Sequence, residues 1–311
     1  MVEPGSAVPG RRATRLATLL LLAVTAAWGS TFFLIRDLVV HIPSADFLAV
    51  RFLVAASAMT AVFHRHVRAL PRRQLGFALV LGAVYGGAQL LQTIGLEHTS
   101  ASVSGFVTGA YVVLTPLFAA AVLRERLSAA TWGAVALATV GLAVLSLRGF
   151  ALGLGEGITL LAAVLYALHI LGLGRWSTPA EATGMAAVQA WVIMAVTGLA
   201  ALPGGITMPS GGGQWLSLLY MALIAGAFAL WAQTWAQAHL TATRAAIVMT
   251  TEPVFAALFA LAFGGESLTS RMLVGGSLVL AAMYVCELAG RRPDTLASVS
   301  PPAEALHHDA P

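Results

Sequence analysis

The chain has no lysine, one cysteine and little charge of either sign. Only 10% of its 311 residues are charged, against roughly 25% in a soluble domain. Without lysine there is no Gly-Lys-Ser/Thr phosphate loop, which excludes an ATP-driven pump within this chain. The lone Cys286 excludes an intrachain disulfide framework and a cysteine-cluster metal site. Neither a His-Glu-x-x-His pair nor a Gly-x-Ser-x-Gly elbow occurs, and no acidic or histidine cluster marks an interface. No enzyme activity, catalytic residue, cofactor or metal is therefore expected. A nucleic-acid partner is not expected either, because no soluble element displays a basic surface.

What the chain has is apolar length. Hydrophobic residues make up 59% of it, and the mean hydropathy is +0.85. About ten runs reach the roughly 20 residues needed to cross about 30 Å of hydrocarbon. They cover 16–35, 45–63, 75–94, 101–123, 129–147, 155–173, 182–202, 214–235, 244–263 and 271–289. The expected class is an all-α integral membrane protein with ten transmembrane helices.

All 17 basic residues are arginine, and all but Arg51 gather in or beside alternate loops. Arg11, Arg12, Arg15, Arg65, Arg68, Arg72, Arg73, Arg124, Arg126, Arg175, Arg244, Arg291 and Arg292 fall on one side. Arg36, Arg148 and Arg271 fall on the other. The positive-inside rule then places both termini in the cytoplasm, with the protein in the cell (inner or plasma) membrane.

The sequence also repeats itself at an offset of about 141 residues. Gln92-Thr93 answers Gln233-Thr234, His98 answers His239, and Ser100-Ala101-Ser102 answers Thr241-Ala242-Thr243. Glu125-Arg126-Leu127-Ser128 answers Glu266-Ser267-Leu268-Thr269. Matched loops differ in charge. Loop 64–74 is arginine-rich, whereas 203–213 carries no charge, and Glu125 lies between arginines while Glu266 lies between Gly265 and Ser267. Opposite sidedness requires such a difference, so two inverted five-helix repeats are expected. The domains read as a cytoplasmic segment 1–15, a first repeat 16–147, an inverted second repeat 148–289, and a disordered cytoplasmic tail 290–311.

Arg11 to Arg15 followed by Leu16–Ala27 also has the outline of a secretory signal. A retained first span is the expectation, because cleavage would leave an odd count and break the repeat. Gly82-x-x-x-Gly86 and Gly105-x-x-x-Gly109 permit close helix approach. Pro116 and Pro253 each remove a backbone hydrogen bond near the middle of a span, which makes them hinge candidates.

These segments resemble the EamA-like ten-span carriers of the drug/metabolite transporter superfamily. The matching residues are Trp28-Gly29-Ser30-Thr31-Phe32 and Arg51-Phe52-Leu53. Thr115-Pro116-Leu117-Phe118-Ala119-Ala120 with Arg124 to Ser128 closes the first half, and Glu252-Pro253-Val254-Phe255-Ala256-Ala257 with Gly265 to Thr269 closes the second. The resemblance covers residues 16–289. It implies inverted repeats around a central substrate cavity, with export or exchange of small metabolites. One departure stands out: Pro253 precedes Glu266 by thirteen residues, but Pro116 precedes Glu125 by nine. The difference of about one helical turn sets the two prolines at different depths.

Ionisable groups inside a membrane are costly and are functional candidates by default. Arg51, about six residues into span two, reads as an anion-binding residue or as half of a structural ion pair, close enough to the outer face for partial snorkelling. Glu252 lies about eight residues into span nine, roughly 12 Å from the cytoplasmic end. Burial favours a neutral carboxyl, so it is a candidate proton or cation carrier. His169 relays protons or hydrogen-bonds a neighbouring helix. Gln89, Gln92 and Gln233 offer amides to a polar solute, and Trp28, Tyr111 and Trp231 offer faces for stacking. His98, His239, Glu125 and Glu266 read as loop anchors at span ends.

The combined expectation is a secondary carrier, monomeric or homodimeric. It would export a small metabolite or drug-like solute by alternating access, with Glu252 as the proton-sensitive group. A lipid scramblase, or an accessory or signalling subunit without transport, has a compatible composition.

Overall fold

The computed structural model describes residues 11–123, 128–148, 151–240, 245 and 248–289. The expectations for Arg124 to Leu127, Thr241 to Arg244, the segment 1–10 and the tail 290–311 lie outside the described residues, as does the side chain of Cys286. The described chain is built of apolar helices. The first half supplies α1 (Arg11–Val39), α2 (Ser44–Arg68), α3 (Arg72–Leu96), α4 (Ala101–Thr108), α5 (Tyr111–Leu123) and α6 (Ala129–Ser146). A two-residue pair, β1 (Leu147–Arg148) and β2 (Ala151–Leu152), joins the halves. The second half supplies α7 (Leu154–Trp176), α8 (Ala182–Ala201), α9 (Gly212–Ala222), α10 (Ala229–Gln237), α11 (Glu252–Ala262) and α12 (Ser270–Ala289).

Among the described residues, seven helices are long and apolar enough to cross a membrane, and three shorter apolar helices accompany them. The chain is a multi-pass membrane protein. Several of the seven spans are irregular, and α2 kinks at Phe63. Residues 101–121 break at Gly109-Ala110 between α4 and α5, and residues 212–237 widen into a π-helix over Leu223–Phe228. Such irregular backbone inside a bilayer persists where protein or a cavity surrounds it.

Pro43 and Pro71 immediately precede α2 and α3, and Ser100 caps α4 by accepting from the Val103 N–H. Pro116 lies inside α5. Pro253 instead occupies the first turn of α11, where its missing N–H costs the helix nothing. The expected mid-helix kink at Pro253 is therefore replaced by a turn at Thr250-Thr251 just ahead of it. By the repeat offset that turn corresponds to Gly109-Ala110, so both halves carry the interruption at matched positions.

Packing follows the small residues. α2 packs on α8, α6 on α12, α3 on both α7 and α8, and α4 on α11. α1 lies against α11, as α5 lies against α7. Gly82 and Gly86 seat α3 on Val192, Ile193 and Val196 of α8, and Gly105 admits Ala256 of α11. Carboxylates tie loops together at one end of the bundle. Asp46 accepts from the Thr207 N–H at 2.8 Å, Glu156 from Thr99 at 2.9 Å, and Glu97 from Ser44.

Candidate functional site

Where both interrupted helices meet the long ones, the bundle holds a small cavity lined by polar and apolar side chains. α1 contributes Trp28, Thr31 and Phe32, and α2 contributes Arg51. α3 presents Tyr85, Gln89 and Gln92, whose spacing of four and three residues puts them on one helix face. Thr108 and Tyr111 flank the α4–α5 break. Tyr166 and His169 come from α7, Gln233 from α10, and Met249 and Glu252 flank the break before α11.

Hydrogen bonds run through these side chains in one direction. Arg51 Nη1 donates to Gln89 Oε1 (3.4 Å), Gln89 Nε2 to the Tyr166 hydroxyl (2.6 Å), Tyr166 to Gln92 Oε1 (2.7 Å), and Gln92 Nε2 to Thr108 (3.1 Å). Across the cavity the Tyr111 hydroxyl donates to Glu252 Oε2 at 2.7 Å. Those two residues stand exactly one repeat offset apart, 141 positions. Trp28 and His169, Gln92 and Gln233, and Thr108 and Met249 are related by the same offset and line the same cavity.

Arg51 does not snorkel. It is buried at 2% exposure, and it donates through Nε to the Met221 carbonyl (3.0 Å) and through Nη2 to the Ala225 carbonyl (3.3 Å). The end of α9 supplies the Met221 carbonyl and the π-helix that follows supplies that of Ala225, which also accepts from Trp28 Nε1 at 3.0 Å. The expectation of partial snorkelling fails because α8 and the π-helix cover that face of α2. No ion pair involving Arg51 occurs among the described residues.

His169 is fully buried and shares a 2.8 Å hydrogen bond with Gln189 of α8 through Nε2, leaving Nδ1 without a partner. Gln233 Oε1 is likewise buried and unpartnered. Trp231 lies away from the cavity. It donates to Thr183 and stacks between Phe63 and Trp235. All the other residues singled out from the sequence for the substrate path come together here.

Tyr85 and Tyr166 were missed. The i, i+4, i+7 stripe of Tyr85, Gln89 and Gln92, and Tyr166 three residues before His169, were the available signals. The cavity volume is about 30 Å³, space for water but well below the roughly 300 Å³ of a small-molecule pocket. No group of three His, Cys, Asp or Glu residues that could hold a metal occurs among the described residues.

Comparison with known proteins decides the family. The EamA-like transporter family model matches the chain twice, over residues 15–147 and 153–287. The chain belongs to the EamA-like transporter family. This EamA-like protein is 29% identical over 273 residues to an uncharacterized transporter of Archaeoglobus fulgidus, covering 88% of this chain and 86% of that one. A solved crystal structure, 20% identical, superposes with a TM-score of 0.62 over 89% of this chain and 99% of the other, a likeness of fold alone. The EamA domain is thus duplicated, and the protein is a membrane transporter of the drug/metabolite transporter superfamily.

Proposed function

We propose that this transporter is a secondary active carrier that exports a small metabolite or drug-like solute by alternating access, coupled to protons through Glu252. In this reading ten spans form two inverted five-helix repeats in the cell membrane, with both termini cytoplasmic. The contact between Tyr111 and Glu252 carries the proposal. Equivalent positions of two inverted repeats touch only near the axis that relates them, and the contact of Tyr111 with Glu252, the one acidic residue lining the cavity, supports that arrangement. The matched pairings of α1 with α11 and α5 with α7 support the same arrangement.

The small volume fits a conformation closed to substrate, so transport requires the walls to part. The interruptions at Gly109-Ala110 and Thr250-Thr251 are the proposed flexing points, with Pro116 and Pro253 setting the helices that move. Glu252 begins α11 immediately after one interruption, where a change in its charge acts directly on the turn.

Proteoliposomes test this. Solute flux should be stimulated by an imposed pH gradient in the wild type, and Glu252→Gln should lose the stimulation while keeping downhill exchange. Equal stimulation in Glu252→Gln would remove that residue from coupling. Accelerated lipid flip-flop without solute flux would replace the carrier by a scramblase.

A further inference from the structure

Resting on the carrier reading, we infer that Arg51 receives the charged group of the substrate, and that the substrate is a small organic anion bearing an O–H or N–H donor. A guanidinium has five N–H donors, and Arg51 places three of them on Met221, Ala225 and Gln89, all neutral acceptors. Phe47 and Phe52 lie 5.9 Å and 5.2 Å from its charge and add cation–π attraction. None of these groups carries a countercharge.

A buried cation surrounded only by dipoles retains much of its desolvation penalty, and an anion is its complement. The carboxyl of Glu252 does not fill that role. It is engaged by Tyr111, and the ion pair found among the described residues joins Arg36 to Glu266 elsewhere. Arg51 lines the cavity, and its three bonds leave two of its five N–H groups for an arriving anion.

A second observation fixes the rest of the ligand. Gln233 lines the same cavity, and its buried Oε1 has no partner among the described residues, so it is an acceptor for an O–H or N–H of the ligand. Trp28, Phe32 and Tyr85 supply apolar wall between these polar ends. The closed cavity holds about 30 Å³, so the anion enters when the walls part.

Three probes sharing one ring and one phenol test the assignment: 4-hydroxybenzoate, 4-hydroxybenzamide and 4-hydroxybenzylammonium. Each is titrated calorimetrically into the full chain in nanodiscs. The anion should half-saturate at about tenfold lower concentration than the amide, the advantage of a charge-assisted bond over a neutral one. The ammonium should bind least.

Arg51→Lys should keep this order because it keeps the charge, and Arg51→Gln should level it. If Arg51→Gln fails to fold, the wild-type order together with Arg51→Lys decides. Gln233→Leu should weaken all three probes alike without reordering them, since they share the phenol donor. Preference for the ammonium or amide, equal binding, or no binding of any probe overturns the inference. Proteoliposome flux separates the two levels. Flux without anion preference overturns only the anion, and anion binding without flux of any solute overturns only the carrier reading.

Discussion

The Tyr166 hydroxyl accepts from Gln89 and donates to Gln92, so one oxygen orients two amides on the cavity face of α3. Tyr166→Phe keeps the ring but strands one amide donor and one amide acceptor. An unpaired buried polar group costs about 1–3 kcal/mol in soluble proteins, whereas couplings between membrane helices average about 0.6 kcal/mol. Space for water beside these groups favours the smaller figure. The expected loss is about 1–2 kcal/mol, measured by reversible unfolding in mixed micelles. Gln89→Leu should then cost less in the Tyr166→Phe background than alone, because the two changes remove one shared bond. Additive costs would mean that the hydroxyl does not organise the amides. At this scale Gln89, Gln92, Glu252 and Arg51 were legible in the sequence because polar groups are rare within apolar runs. Tyr85 and Tyr166 were not, since an apolar ring suits a helix anywhere in its length.

Glu266 shows how elements are tied across the molecule. Its carboxylate accepts from the N–H groups of Ala101 (2.7 Å) and Ser102 (3.4 Å) and from the Ser102 hydroxyl, capping the first turn of α4. It also pairs with Arg36 at 3.2 Å, whose side chain is 44% exposed. A helix cap is worth about 1 kcal/mol, and an exposed ion pair about 0.2–1 kcal/mol. Glu266→Ala should therefore destabilise more than Arg36→Ala, and the reverse ranking would show that the ion pair dominates. Helix contacts offer a sharper contrast. A Cβ on Gly29 would lie 2.5 Å from Phe255 Cβ and 2.8 Å from the Ala256 nitrogen, whereas one on Gly76 meets nothing within 4 Å. Gly29→Ala must push α1 from α11 at a cost of about 1–3 kcal/mol. Gly76→Ala should be neutral, or stabilise α3 by up to about 1 kcal/mol. Equal midpoints for the two variants in thermal unfolding would contradict the packing. The sequence showed that glycines were plentiful, but spacing alone did not separate Gly29 from Gly76.

For the whole molecule, the proposed inversion makes a prediction about sidedness. Arg72, at the start of α3, and Ser210, just before α9, are both exposed and lie in segments matched by the repeat. In a Cys286→Ser background, a membrane-impermeant maleimide applied to intact cells should label Ser210→Cys and leave Arg72→Cys unlabelled until the membrane is opened. Labelling of both from outside would sink the inverted arrangement, and the mirror pattern would reverse the orientation.

The sequence by itself determined the solvent, the repeat and the family, because apolar run length, arginine placement and the EamA-like segments are local, one-dimensional properties. It also showed which polar groups enter the membrane. Only the tertiary structure decided which of them meet. Helices such as α5 and α8 are apolar on every side, so neighbours, and not periodicity, select the face that turns inward. That selection brought Tyr111 to Glu252, left Trp231 outside, and covered Arg51 with carbonyls from the end of α9 and from a π-helix that no residue pattern announced. It also moved the expected interruption at Pro253 to the turn before it, because proline in a first turn gives up no hydrogen bond.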